Sequence, residues 1–175
     1  DVLAIIDYYG FNKISILGHS MGGYIAQELA IFYPDKIKNL ILSNTNAVSP
    51  ARNIDIFSTL SKALEEGMSW ESWHRLFSHW IYTPSFFENE ESYKLTIEFV
   101  LNYEHHQSLE GFKAQALSCK SYNNKDLLHK IEANTLIISG DKDIIAPLES
   151  SIDMSKRIKK SRVEIIEGSG HLPMI

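Results

Sequence analysis

The stretch Lys13-Ile14-Ser15-Ile16-Leu17-Gly18-His19-Ser20-Met21-Gly22-Gly23 limits the possible folds most tightly, because an apolar run ends in glycines that bracket one serine. Ile14, Ile16 and Leu17 predict a buried strand, and from Tyr24 onward the apolar spacing becomes helical. A sharp strand-to-helix turn would hold Ser20 in a strained backbone conformation with its hydroxyl clear of the sheet, the arrangement of a nucleophile elbow. Side chains at Gly18 or Gly22 are expected to collide across that turn. The helix start beyond it offers free N–H groups and the positive end of a dipole, both suited to a developing oxyanion.

The segments on either side extend the same alternation of helix and strand. Val2, Ile5, Ile6 and Tyr9 have the spacing of an amphipathic helix that Gly10 ends. After the elbow, Ile25, Ala26, Leu29, Ala30 and Tyr33 form a stripe that Pro34 terminates, and Ile37–Leu42 reads as a strand leaving into the polar loop Ser43-Asn44-Thr45-Asn46. Strand character returns at Thr135–Ser139, stops at Gly140 and gives way to the acidic loop Asp141-Lys142-Asp143. A helix carrying Ile152 and Ile158 starts near Pro147, a last strand covers Val163–Ile166, and Gly168-Ser169-Gly170-His171 places a histidine just past it. In a parallel α/β sheet the C-terminal ends of the strands share one rim, so Ser20, the acidic loop and His171 can converge.

Between Ser49-Pro50 and residue 125 the spacing is helical throughout, with no strand pattern. Ser49 and Thr83 are expected N-caps before proline, and Ser69 is expected to cap a helix bearing Trp70, Trp73, Phe77 and Trp80, of which one or two should line a pocket. The segment also holds His74, His79, His105 and His106. His74 and His79 are five residues apart, and His105 and His106 point to different sides of a regular helix, so neither pair has metal-ligand spacing and no metal site is expected. Cys119, the single cysteine, cannot form an internal disulfide and is read as a packing residue, with a lean toward the cytoplasm. A net charge of -5 with no concentrated basic face argues against nucleic acid as a principal partner, and no apolar run reaches membrane-spanning length. Lys156-Arg157-Ile158-Lys159-Lys160 reads as the solvated end of a helix.

Taken together, Gly18-His19-Ser20-Met21-Gly22-Gly23, the strand Leu136–Gly140 with Asp143-Ile144-Ile145-Ala146-Pro147, and Gly170-His171 resemble the nucleophile, acid and histidine segments of the α/β-hydrolase fold, in that family's chain order. The resemblance implies an α/β fold with a mostly parallel sheet of about four strands. It divides the chain into a core of residues 1–49 and 126–175 and an inserted helical cap of residues 50–125. It makes Ser20 the nucleophile, His171 the general base, Asp143 the orienting acid with Asp141 as the alternative, and Met21 N–H an oxyanion donor. The implied activity is hydrolysis of a small carboxylic ester, thioester or lactone through an acyl-enzyme, without a cofactor. Carbon–carbon bond hydrolases and non-metal haloperoxidases share the triad, and an inactive fold kept as a binding module is the non-enzymatic alternative.

The resemblance begins at the helix before the elbow strand. The earlier strands, the loop that supplies a second oxyanion donor and the helix after the histidine have no counterpart in these residues. The elbow strand Lys13–Leu17 is therefore expected to present an unpaired edge, open to a second copy of the chain or to a complementing N-terminal fragment.

Overall fold

A computed structural model describes residues 1–174. In chain order the elements are α1 (Val2–Tyr8), β1 (Ile14–His19), α2 (Met21–Phe32), β2 (Ile37–Ser43), α3 (Ala51–Glu65), α4 (Trp70–Ile81), the single turn α5 (Pro84–Phe87), α6 (Glu90–Leu101), α7 (Leu109–Lys120), a 3₁₀ segment Lys125–Lys130, β3 (Asn134–Gly140), α8 (Leu148–Arg157) and β4 (Ser161–Ile166). The four strands form one sheet in the order β1-β2-β3-β4, all parallel. Strand order equals chain order, so the loops leaving all four strands open on the same rim.

The core lies between this sheet and helices α2 and α8. Leu40, Leu42 and Ile137 of the two central strands are fully buried against Ala26, Leu29, Ala30, Met154 and Ile158. The faces turned inward differ in part from the predicted stripes. On α2, Ile25 and Tyr33 are 45% and 46% exposed, while Gly23 and Gln27 complete the buried face. On α1, Ile5 and Tyr9 face outward and Val2, Leu3 and Ile6 face inward; on α8, Ile152 is exposed and Met154 takes the core position. Each helix carries apolar residues outside the predicted stripe, so the spacing alone does not decide which of them faces the sheet. Leu17 is 62% exposed rather than buried, since β1 is an edge strand of the described sheet and has β2 as its only neighbour there.

The five helices between β2 and β3 hold a separate apolar cluster, Leu60, Leu64, Trp73 and Phe112, with Phe57, Trp70 and Phe77 packed on it. Ser69, Asn89 and Ser108 each cap the N-terminus of a helix by accepting a backbone N–H three residues on, at 3.0–3.1 Å. Thr83 is the N-cap of α5 with Pro84 at its first position. Ser49 does not cap α3, because Pro50 in an extended conformation intervenes. Its hydroxyl instead donates to Cys119 O at 2.6 Å, fastening the start of the insertion to the end of α7.

At the elbow, a Cβ on Gly18 would lie 2.3 Å from Gly22 O and 2.8 Å from Ala26 Cβ, whereas one on Gly22 would meet nothing within 4 Å. The second close approach belongs to Gly23, where a Cβ would fall 2.4 Å from Thr45 Oγ1. The expected collision is therefore at Gly18 and Gly23, not at Gly22. Gly18→Ala is expected to lower stability by about 1–3 kcal/mol through overpacking, and Gly22→Ala to stay within about 0.5 kcal/mol of the parent. Urea unfolding midpoints of the two variants check this.

Candidate active site

Ser20 sits between β1 and α2 at φ 52°, ψ -121°, a conformation that L-residues rarely adopt and that costs of order 1–3 kcal/mol. Local bonds hold it there. Ser20 N–H donates to Ser43 O at 3.0 Å, and Ser20 O accepts from Thr45 Oγ1 at 2.7 Å and from Gly23 N–H at 2.9 Å. The turn thus joins the ends of β1 and β2, and the missing side chain of Gly23 makes room for Thr45. Met21, the first residue of α2, brings its N–H to the same turn, where helical N–H groups lack intrahelical partners.

The loops after β3 and β4 lie against each other. Gly140 ends β3 so close to the histidine loop that a Cβ would sit 2.3 Å from Ser169 O, and Lys142 N–H donates to the same oxygen at 2.9 Å. Asp141 is turned away from His171. Its Oδ1 accepts Gly168 N–H at 2.7 Å, and its other oxygen lies 3.3 Å from Lys142 Nζ. Asp143 takes the inward position with its side chain fully buried. Oδ1 accepts Ile145 N–H at 2.8 Å and Ala146 N–H at 2.9 Å, and Oδ2 lies 2.9 Å from His171 Nδ1. On the far side of the ring, His171 Nε2 lies 2.8 Å from Ser20 Oγ. An ionised carboxylate only accepts, so Nδ1 carries the proton facing Asp143 and Nε2 is left to accept from the serine hydroxyl. Burial pushes the Asp143 carboxyl upward, but His171 and the donors from Ala146 and Asn44 outweigh it and hold the group below the usual carboxylate range. His171 N–H donates to Ile81 O at 3.0 Å, which ties the histidine to the last turn of α4.

Asn44 belongs to this assembly too, although the sequence offered it only as part of a polar exit loop. It is completely buried and in the left-handed region at φ 46°. Its amide nitrogen donates to Asp143 Oδ2 at 2.8 Å and to Gly170 O at 3.0 Å, and its oxygen accepts from Ser43 Oγ at 3.2 Å. One side chain therefore grips both the acid loop and the histidine loop. The signal available in the sequence was an asparagine, tolerant of positive φ, directly after a strand that ends on this rim. His19 adds a second imidazole, 5.0 Å from the His171 ring, with its pKa lowered chiefly by burial and further by the neighbouring His171.

Ser20 and His171 open onto a cavity of about 210 Å³ roofed by the helical insertion. Phe57, Trp73, Phe77, Phe112 and Ile145 give it an apolar side. Of the four aromatics expected on α4, Trp73 and Phe77 reach this cavity, Trp70 lines a neighbouring one, and Trp80 lies under the Arg52 guanidinium at 4.4 Å. Cys119 is half-buried at the cavity wall, where burial raises its thiol pKa and so works against a thiolate. His74, His105 and His106 gather around the neighbouring cavity, while His79 stacks on Phe87 at 4.6 Å. Among the described residues no group of three or more His, Cys, Asp or Glu side chains is disposed to hold a metal ion, and no helix is long and apolar enough to cross a membrane.

A serine hydroxyl, an imidazole and a buried carboxylate in hydrogen-bonded sequence, beside a helix N-terminus on the rim of a parallel sheet, suit nucleophilic attack on a carbonyl group. Comparison with known proteins places the architecture: the model of the alpha/beta hydrolase fold matches residues 1–175, and the chain belongs to that family. It is 29% identical over 179 residues to the proline iminopeptidase PfmaB of Pestalotiopsis fici, with 91% of this chain and 61% of that protein covered. It is 25% identical to 3-oxoadipate enol-lactonase 2 of Acinetobacter baylyi, with 97% and 61% covered. Among solved structures, a thermophilic esterase from Thermogutta terrifontis superposes with a TM-score of 0.82 at 27% identity, covering 99% of this chain and 63% of that one. An alpha/beta hydrolase enzyme from a Medee basin deep-sea metagenome library gives 0.89 at 22% identity, covering 99% and 63%. The chain thus spans about three-fifths of the length of the relatives it matches.

Two stability measurements follow from the site. Asn44→Ala would leave Asp143 Oδ2 and Gly170 O each short of a donor, and is expected to cost about 1–3 kcal/mol in urea unfolding. Because the folded Asp143 pKa lies below the unfolded value, its contribution is present above the ordinary carboxylate pKa and is lost as pH falls through the folded value. Unfolding midpoints from pH 7 to pH 3 are therefore expected to fall more steeply for the parent than for Asp143→Asn.

Proposed function

We propose that the protein is a serine hydrolase that cleaves a small carboxylic ester, thioester or lactone through an acyl-enzyme. In this reading Ser20 Oγ attacks the carbonyl carbon while its proton passes to His171 Nε2, and Asp143 keeps the imidazole in the required tautomer and stabilises the imidazolium. The carbonyl oxygen becomes an oxyanion facing Met21 N–H at the start of α2. His171 then protonates the leaving oxygen or sulfur, the C–O or C–S bond breaks, and Ser20 is acylated. Water activated by the same imidazole attacks the acyl carbon and releases the carboxylic acid. None of these steps needs a cofactor. Residues 50–125 serve as the cap, and their apolar wall takes the organic part of the substrate.

The observation that carries the reading is the continuous contact from Ser20 Oγ to His171 Nε2 at 2.8 Å and from His171 Nδ1 to Asp143 Oδ2 at 2.9 Å. The lactonase and esterase among its relatives support an oxygen ester as substrate. A second reading, carbon–carbon bond hydrolysis by the same groups, is supported by 27% identity to a 2-hydroxy-6-oxononadienedioate/2-hydroxy-6-oxononatrienedioate hydrolase of Pseudomonas putida, of which the chain covers 59%.

An alkyl fluorophosphonate is expected to add once to the protein by intact-mass analysis, at Ser20 by peptide mapping, and not to Ser20→Ala. Absence of an adduct on the parent protein would overturn the hydrolase reading and leave a binding module.

A further inference from the structure

The cavity at Ser20 has a neighbour. A second space of about 290 Å³ lies between the N-terminal turns of α4 and the C-terminal turns of α6, and Trp73 and Gln107 line both. At about 210 Å³ the Ser20 chamber is smaller than most ligand pockets, which run from about 300 to 1,000 Å³. The two chambers together enter that range. Their chemistry differs as well: only the first contains Ser20 and His171, whereas the second is walled by Trp70, His74, Phe99, Tyr103, His105 and His106.

Resting on the hydrolase reading, we infer that the second chamber is a subsite for an aromatic ring, so that the substrate is an ester carrying an aryl group remote from its reacting carbonyl. Trp70, Trp73 and His74 form an edge-on array, with Trp70 and Trp73 centroids 5.6 Å apart at 63° and Trp73 and His74 5.0 Å apart at 85°. Phe99 and Tyr103 stand on the α6 side, 6.1 Å apart. Ring walls set at steep angles accept a further ring by edge-to-face or offset contact, which gains more than the burial of its area alone. Trp73 is buried, and its indole N–H has no partner among the described residues. Burial and the neighbouring His106 lower the His74 pKa and so favour its uncharged form, consistent with an apolar ring beside it. Phe99 is 68% exposed and lines this second space.

The test uses p-nitrophenyl esters of acetate, 4-phenylbutyrate and decanoate. The parent protein is expected to show kcat/KM at least tenfold higher for 4-phenylbutyrate than for either other ester. Phe99→Ala/Tyr103→Ala is expected to lower the 4-phenylbutyrate-to-acetate ratio about tenfold, mainly through KM; Phe99→Ala alone should shift it in the same direction. Binding is read separately from turnover by titrating Ser20→Ala with methyl 4-phenylbutyrate and following tryptophan fluorescence, where the added Phe99→Ala/Tyr103→Ala changes should raise Kd about tenfold. Hydrolysis of acetate with a ratio below two, or decanoate matching the aryl ester, would overturn the subsite while leaving the hydrolase reading intact. Tight binding to Ser20→Ala that the aromatic changes weaken, with no hydrolysis by the parent, would sustain the subsite and remove the hydrolase reading.

Discussion

The fully buried carboxylate of Asp143 is the constraint on which the other parts of the site depend. A charge without solvent contact persists only if its lone pairs are taken up, and here four donors do so: two backbone N–H groups of its own loop, the Asn44 amide and the His171 ring. These donors come from three separate chain segments, those leaving β2, β3 and β4. Satisfying one carboxylate therefore fixes the relative positions of three loops, and the same parallel rim places Ser20 against the outer face of the imidazole. The close approach of Gly140 to Ser169 shows how little clearance is left between two of those loops, and that of Gly170 to Ile81 how tightly the end of α4 sits on the histidine loop.

The helical insertion takes part in this arrangement as well as covering it. Helix α4 supplies Trp73 and Phe77 to the cavity wall, and its final carbonyl, that of Ile81, accepts the His171 backbone N–H. Asn46 and Asn53 both donate to Ile145 O, so the loop after β2 and the first helix of the insertion hold the acid loop between them. A movement of the insertion would accordingly reach the histidine and the acid loop through hydrogen bonds, not only through the shape of the pocket.

Much of this was legible in the sequence, and the exceptions share a physical cause. The strands, the elbow and the positions of Ser20, Asp143 and His171 just beyond strand ends follow from local signals: β-favouring runs, glycine stops and chain order. Contacts between distant segments did not follow. Gly22 completes the G-x-S-x-G pattern, yet its neighbourhood is open and Gly23 is the crowded position, because the colliding atom belongs to Thr45 on another strand's loop. Asn44 looked like loop polarity because its partners, Asp143 and Gly170, lie 99 and 126 residues away. Ser49 had the residue type of a cap, but Pro50 takes the cap position and the Ser49 hydroxyl donates to Cys119 O on α7 instead. Asp141 and Asp143 are equivalent in type and separated by one residue, and what distinguishes them are partners distant in sequence: Gly168 N–H for the one that turns outward, Asn44 and His171 for the one that turns inward.

That last distinction gives the most direct measurement of the central claim, which is that Asp143, through His171, sets the reactivity of Ser20. The quantity is the second-order rate constant for phosphonylation of Ser20 at neutral pH in Asp143→Asn and Asp141→Asn. Replacing the buried acid of such a triad by its amide lowers turnover by about 10⁴, and a loss of several powers of ten is predicted for Asp143→Asn with less than a tenfold change for Asp141→Asn. Equal rates in the two variants, or the larger loss at Asp141, would contradict the account.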